Sequence, residues 1–498
     1  MDTLNVMGAA FASIITPTAL MLISFGCVVG IVFGAIPGLS GMLGVALLLP
    51  VTFGMSEANG FALLISVWIG GVSGAFISAT LLGIPGSTSS IATCYDAYPM
   101  CKKGQVVKAL QAGILGSFLG TFVSCLIATF LSPIIARLAL QLGPWEYFSL
   151  CACAIVLVVG LSAGDTARGL ASAFLGILLC SVGFSPIDAY KRFTFGNYNL
   201  FGGIDVLALV LGMFAVRLIL TDLGKGGIDT SKMAQVDFKG QGLTLKDWKN
   251  NIVNIVRSFF IGLWIGFLPG MGSGLSNMVA YAQAKSSSKH PEQFGEGIVD
   301  GVFASEVSNN ASVGGAVIPM VALGIPGDST TAILLGGLVI HGIEPGPLLF
   351  DQHGEFVYMV FEAVLLSAVA VLLIELFTMR WYPSILKIPY HYLYPALIAI
   401  AFVGAFTSTN TLFNCGMMLA MAALAMFMDH FKLPVSPLLL AYILGPMLEQ
   451  NLRKGLTYST EGFVTFLTRP VSALFLIVGL LSVVIPLLKK KPVQAESE

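Results

Sequence analysis

The chain has 498 residues, 56% of them hydrophobic and only 10% charged, with a mean hydropathy of +0.88 and a formal net charge of −1 at pH 7. This excludes a soluble globular domain, and the absence of any basic patch excludes a nucleic-acid binder. The eight cysteines lie mostly in apolar runs without metal-ligand spacing and read as small packing residues, so no structural metal and no cofactor are expected.

Met1-Asp2-Thr3-Leu4-Asn5-Val6 lacks the basic start of a cleaved signal peptide, and the first apolar stretch is expected to be a retained span. No Asp, Glu, Lys or Arg occurs from Thr3 to Ser56 or from Ala58 to Tyr95. Such runs exceed the roughly 20 apolar residues that cross a bilayer, so each must hold several crossings or re-entrant pieces. Apolar segments follow at 10–33, 39–53, 60–83, 106–135, 146–162, 168–183 and 203–221, and then at 252–268, 272–284, 298–323, 329–342, 356–378, 393–406, 411–429, 436–447 and 471–488. Several are too short to cross alone. The expected organisation is a first transmembrane repeat over 1–221, a polar cytoplasmic linker over 222–251, a second repeat over 252–430, C-terminal membrane helices over 431–488 and a cytoplasmic tail over 489–498 carrying Lys489-Lys490-Lys491.

The repeat is read from four landmarks. Gly34-Ala35-Ile36-Pro37-Gly38 returns as Gly266-Phe267-Leu268-Pro269-Gly270, an offset of 266 − 34 = 232; Gly83-Ile84-Pro85-Gly86 returns as Gly324-Ile325-Pro326-Gly327, an offset of 324 − 83 = 241. Equivalent loops differ in charge: Gly54 to Asn59 has no base whereas its counterpart carries Lys285, Lys289 and His290, and Lys102-Lys103 is answered by Glu344-Pro345. Under the positive-inside rule these loops fall on opposite sides of the membrane. The expected fold class is therefore an all-α polytopic membrane protein of two repeated, inverted halves with Pro-Gly-broken helices or re-entrant hairpins.

Pro-Gly inside an apolar run removes a backbone donor and leaves free amides at the start of the next helix, where an anion is favoured. Hydroxyls follow each break: Ser40 after Pro37-Gly38; Ser87, Thr88, Ser89 and Ser90 after Pro85-Gly86; Ser273 after Pro269-Gly270; and Ser329, Thr330 and Thr331 after Pro326-Gly327. Non-helical backbone at membrane depth needs protein or a wet cavity around it, so a central cavity binding an anion is expected. Asp328, directly on a break, either caps a helix or ligates a cation. Glu306, Asn309 and Asn310 form a polar cluster where the first half has Ile65 to Ile69, and Asn277 shares a helix face with Ser273. Asp165 and Arg168 read as a loop salt bridge.

Enzyme signals are weak. Gly272-Ser273-Gly274 is similar to an intramembrane serine nucleophile, but His341 is the nearest histidine in an apolar setting, and there is no nucleotide motif.

From about Val29 to Phe466 the chain resembles the large membrane subunit of the tripartite tricarboxylate transporters, the TctA family. The matching stretches include Gly34 to Gly38 with Val45 to Pro50, Asp96-Ala97-Tyr98-Pro99-Met100 with Lys103-Gly104, Arg192 to Gly196, Asn309-Asn310-Ala311, and His341 to Pro347. The resemblance implies a permease of the bacterial inner membrane that works with a small membrane subunit and a periplasmic solute-binding protein. It implies import of a carboxylate with Na⁺ or H⁺ as coupling ion. The chain departs from the family pattern at Gly83-Ile84-Pro85-Gly86-Ser87 and at Asp328. An uncoupled anion channel is the first alternative, and an intramembrane hydrolase acting through Ser273 the second. Expected substrate contacts are Pro37, Gly38, Ser40, Pro85, Gly86, Ser87, Thr88, Ser89, Gly270, Ser273, Asn277, Asn309, Asn310, Gly327, Ser329 and Thr330, with Asp328 and Glu306 at the coupling ion.

Overall fold

The computed structural model describes residues 3–161, 166–222, 238, 240–388 and 390–488. Asp165, most of the expected linker and the tail from Lys489 lie outside the described residues. In chain order come α1 (Thr3–Ile14), α2 (Pro17–Ala35), α3 (Gly41–Leu48), α4 (Glu57–Leu82), α5 (Ile91–Lys102), α6 (Val106–Ala139), α7 (Pro144–Leu161) and α8 (Thr166–Cys180). A two-residue hairpin pairs β1 (Gly183–Phe184) with β2 (Lys191–Arg192). After it come α9 (Val206–Val210), a π turn, α10 (Arg217–Asp222), α11 (Leu245–Phe267), α12 (Gly272–Ser287), α13 (Val299–Leu323), α14 (Ser329–Ile340), α15 (Leu349–Gln352) and α16 (Gly354–Thr378). The last are α17 (Tyr382–Ile385), α18 (Tyr390–Thr409), α19 (Leu412–His430), α20 (Val435–Tyr458), α21 (Val464–Thr468) and α22 (Pro470–Leu488). This is the all-helical membrane fold expected from composition, with, among the described residues, 5 helices long and apolar enough to cross a bilayer and several shorter apolar ones. α11 starts inside the stretch expected as linker, because Thr244 and Asp247 close a capping box there.

Packing divides the chain into two compact units, Met1–Ala139 with Asp205–Leu424, and Leu140–Ile204 with Ala425–Glu498. In the smaller, α20 packs on α7 and α8, and α22 on α7. Arg469 binds Glu146 at 2.5 Å while lying over the Trp145 ring, and Arg192 binds Glu449 at 2.7 Å.

The larger unit is built around α4 and α13. Every residue from Gly60 to Leu82 and from Gly301 to Ala322 is buried, which is why α4 is apolar or small-residue on all sides, whereas α13 also buries the polar Glu306, Asn309 and Asn310. α4 packs on α2, and α13 packs on α11 in the same way. A Cβ at Gly34 would run into the Gly71 carbonyl, and one at Gly266 into that of Ser312; Gly30 meets Val67 as Gly262 meets Ser308, and Gly74 meets Ile31 as Gly315 meets Leu263. These pairs are related by the offsets 232 and 241 read from the sequence, so the duplication extends to the helix crossing itself. Close approach of this kind replaces the hydrophobic driving force that is missing between helices in lipid. Between halves the exchange is reciprocal: α6 packs on α13, and α16 on α4.

Candidate substrate and ion site

Each break has a local cause. α2 ends at Ala35, Gly38 takes φ +90°, and the Ser40 hydroxyl caps α3 by accepting the Leu43 N–H at 3.3 Å. α4 ends on Gly83 at φ +69°, and α13 on Gly324 at φ +70°, the left-handed conformation that glycine adopts without strain. Ser87 then accepts the Ser89 N–H at 3.3 Å, and its repeat mate Asp328 accepts the Thr331 N–H at 2.7 Å. Gly270 and Gly272 turn the chain into α12, whose first turn has no side-chain cap.

The four breaks converge. A Cβ at Gly86 would strike the Gly34 carbonyl, bringing the two breaks of the first half together, and Gly327 packs in the same way against Ala316 and the Gly266 carbonyl. Gly272 abuts Asp328, where a Cβ would stand 2.9 Å from the Asp328 Cβ, and Gly274 abuts Thr88. Asn277 bridges the halves: its Nδ2 donates to the carbonyls of Thr88, Ser273 and Gly274 at 3.1, 2.9 and 3.0 Å, and its Oδ1 accepts the Ala92 N–H at 3.2 Å. One amide therefore ties the turn after Pro85 to the start of α12.

A buried polar seam runs beside this junction. Glu306, fully buried in α13, accepts from Thr93 of α5 at 2.5 Å, from Ser117 of α6 at 3.3 Å and from the Asn310 amide at 3.5 Å. Asn310 also donates to Ser117 at 2.9 Å and accepts from Thr121 at 3.2 Å. Glu306 and Asn310 share a face as their spacing requires. Asn309 is buried with neither amide atom in a well-formed hydrogen bond, and Trp68, at 309 − 241 = 68, is buried with its indole N–H unpaired. Both lie on the faces that carry Ala75 and Ala316 to the breaks.

The expected residues thus gather in one unit. Pro37, Gly86, Ser89, Asn277, Asn309, Asn310, Gly327 and Thr330 are buried, Ser40, Pro85, Ser87, Gly270, Ser273, Asp328 and Ser329 are partly so, and Gly38 and Thr88 are exposed. Asp328 spends its carboxylate as a helix cap, forming a capping box with Thr331. His341 hydrogen-bonds Thr52 at 2.9 Å. A cavity of about 640 Å³ lies away from the breaks, between the start of α11 and the loop after α12, lined by Asn250, Asn254, Arg257, Ser287 and His290 among others. Sequence reading missed Trp68, Thr93, Ser117 and Thr121, whose only signal was hydroxyl or indole placement in an apolar helix. It also left without a role Asp96, whose Oδ1 accepts the N–H groups of Gly295, Gly297 and Ile298 at 2.9, 2.9 and 3.1 Å and so fastens α5 to the entry of α13.

A protein from Agrobacterium vitis described as an uncharacterized 52.8 kDa protein in the TAR-I ttuC' 3' region is 30% identical over 488 residues, covering 98% of this chain and 97% of that one. A second, described as an uncharacterized protein in the TAR-II ttuC' 3' region of the same organism, is 30% identical over 227 residues, 46% of this chain and 94% of its own length. No solved structure matches. The model of the tripartite tricarboxylate transporter TctA family matches residues 20–440, within which all four helix breaks fall. The chain, a multi-pass membrane protein and a transporter component, belongs to that family.

Proposed function

We propose that this chain is the translocating subunit of a cation-coupled carboxylate importer of the bacterial inner membrane, supplied by a periplasmic solute-binding protein and accompanied by a small membrane subunit. The observation that carries the reading is the convergence of four Pro-Gly breaks from two repeated halves, bridged by Asn277. The substrate's carboxylates rest against the uncapped first turn of α12 and the backbone beside the other three breaks, joined by the hydroxyls of Ser40, Ser87, Thr88, Ser89, Ser273, Ser329 and Thr330. Helix starts attract anions without the cost of a buried lysine. Trp68 and Asn309 add side-chain donors beside the breaks.

The coupling ion, Na⁺ or H⁺, binds at Glu306. Asp328 is engaged in capping α14, and this favours Glu306, which stands in the hydroxyl-lined seam. The halves lie inverted across the bilayer, so that their relative movement opens the junction to each side in turn. Uptake of labelled di- and tricarboxylates by the reconstituted three-part complex, with Na⁺ and pH varied separately, is the test. Accumulation against a gradient that collapses with the cation gradient is expected; downhill flux indifferent to both cations would replace the carrier by a channel.

A further inference from the structure

Ser73 of α4 donates to Glu375 Oε2 of α16 at 2.9 Å, and Ser117 of α6 donates to Glu306 Oε2 of α13 at 3.3 Å. Both serines line one small cavity, together with Thr121 and Asn310. About 10 Å³ of it is open to the centre of a water molecule, which is room for about one water. Two fully buried carboxyls are thereby joined through two hydroxyls and one water-sized space, with each of the four side chains on a different helix.

The two carboxyls are dressed differently. Glu306 has three donors, Thr93, Ser117 and Asn310, which suits an anion. Glu375 has Ser73 alone, and its Oε1 meets no partner. Facing Glu375 are the Cys27 thiol from α2, the Tyr382 ring from α17, whose hydroxyl donates to the Glu375 backbone carbonyl at 3.0 Å, and Glu306 itself. Facing Glu306 are the Cys94 thiol on α5 and Glu375. Among the described residues no Lys, Arg or His pairs with either carboxyl. A carboxylate with a single donor, no counter-ion and a bare oxygen is strongly disfavoured against its neutral acid.

We propose that Glu375 is a proton-binding site and that Ser73, a water in the cavity and Ser117 connect it to Glu306 as a proton path between the two halves. The inference rests on the reading that Glu306 serves the coupling ion, and it commits that ion to H⁺. The Ser73 hydroxyl turns between carboxyl and cavity. As Glu375 gives its proton to Ser73, Ser73 gives one to the water, the water gives one to Ser117, and Ser117 gives one to Glu306. Each hydroxyl and the water are restored, Glu375 becomes a carboxylate as Glu306 becomes an acid, and the charge in the seam is unchanged.

The test uses the full chain in lipid nanodiscs and infrared spectroscopy of its carboxyl groups. At neutral pH the wild type should show the carbonyl band of a buried neutral acid, lost in Glu375→Gln and shifted in Ser73→Ala; an unchanged band in both variants would overturn the site. In vesicles of the reconstituted complex with a pH dye inside, substrate-driven acidification should be lost in Glu375→Gln and slowed in Ser117→Ala, and undiminished acidification in both would overturn the path. The infrared measurement needs no transport. Loss of the band therefore supports the site even where no carboxylate crosses, an outcome whose failure falls on the transport reading alone.

Discussion

The Asn277 amide nitrogen meets the Thr88 carbonyl oxygen at 3.1 Å, although 189 residues separate them. The same nitrogen also faces the Ser273 and Gly274 carbonyls, so this amide is a donor hub among carbonyl oxygens while its own oxygen takes the Ala92 N–H. Asn277→Ala leaves those groups unpaired at a cost of about 1–3 kcal/mol. Asn277→Asp should be worse, since it sets a second oxygen against the carbonyls in place of a donor. Thermal unfolding of the purified variants checks the order, and transport should fall in both.

The repeated helix crossings predict paired costs. Gly34→Ala and Gly266→Ala each drive a methyl group into a carbonyl of the facing helix, Gly71 in one case and Ser312 in the other. Each should destabilise by about 1–3 kcal/mol, as overpacking does. Gly416→Ala in α19 has open space around it and should instead be neutral or stabilising by up to about 1 kcal/mol. Equal behaviour of Gly34→Ala and Gly416→Ala in a melting experiment would contradict the tight crossing.

Asp96 gathers three backbone N–H groups on one oxygen. Asp96→Asn can keep an oxygen there but loses the charge that strengthens those bonds, and Asp96→Ala loses all three. Destabilisation of about 1.5–3 kcal/mol for the asparagine variant, and more for alanine, is expected. Faster protease cleavage between His290 and Ile298 is the measurement, and it should rise in the same order.

Trp68 carries a buried indole N–H with no partner. Removing an unpaired buried donor leaves no other group unsatisfied, so Trp68→Phe should cost only what the cavity left by the smaller ring costs, about 1–3 kcal/mol. If that N–H serves the substrate, KM should rise while the folded yield holds. A lower melting temperature with unaltered KM would assign Trp68 to packing.

Ser56 and Ser287 are exposed at equivalent loops of the two halves. The native cysteines are buried or half-buried, so background labelling is low. Ser56→Cys and Ser287→Cys should react with a membrane-impermeant maleimide from opposite sides of oriented vesicles. Reaction from the same side would remove the inverted arrangement.

What could be read along the chain was what the backbone decides locally. Proline lacks an N–H and glycine accepts positive φ, so Pro37, Pro85, Pro269 and Pro326 with their neighbouring glycines mark helix ends whatever surrounds them, and Gly83 and Gly324 duly end α4 and α13. Apolar composition sufficed for the helical class, and the offsets 232 and 241 for the duplication. Asp328 stood between cap and ion ligand in the sequence because both uses need a carboxylate at a helix start. Thr331, three residues on, closes the capping box with it, a local pairing that settles its use as a cap.

Partnerships across the halves were beyond reach because they depend on how helices cross, and a crossing is set by which small residues meet over long separations. Asn277 with Thr88, Asp96 with Gly297, and Ser73 with Glu375 are pairs of this kind. Glu375 reads in the sequence as one acid near the end of an apolar helix. The tertiary structure alone buries it, gives it a single donor and places a water-sized space between that donor and Ser117, because side chains from four helices must come within hydrogen-bond range for any of this to exist.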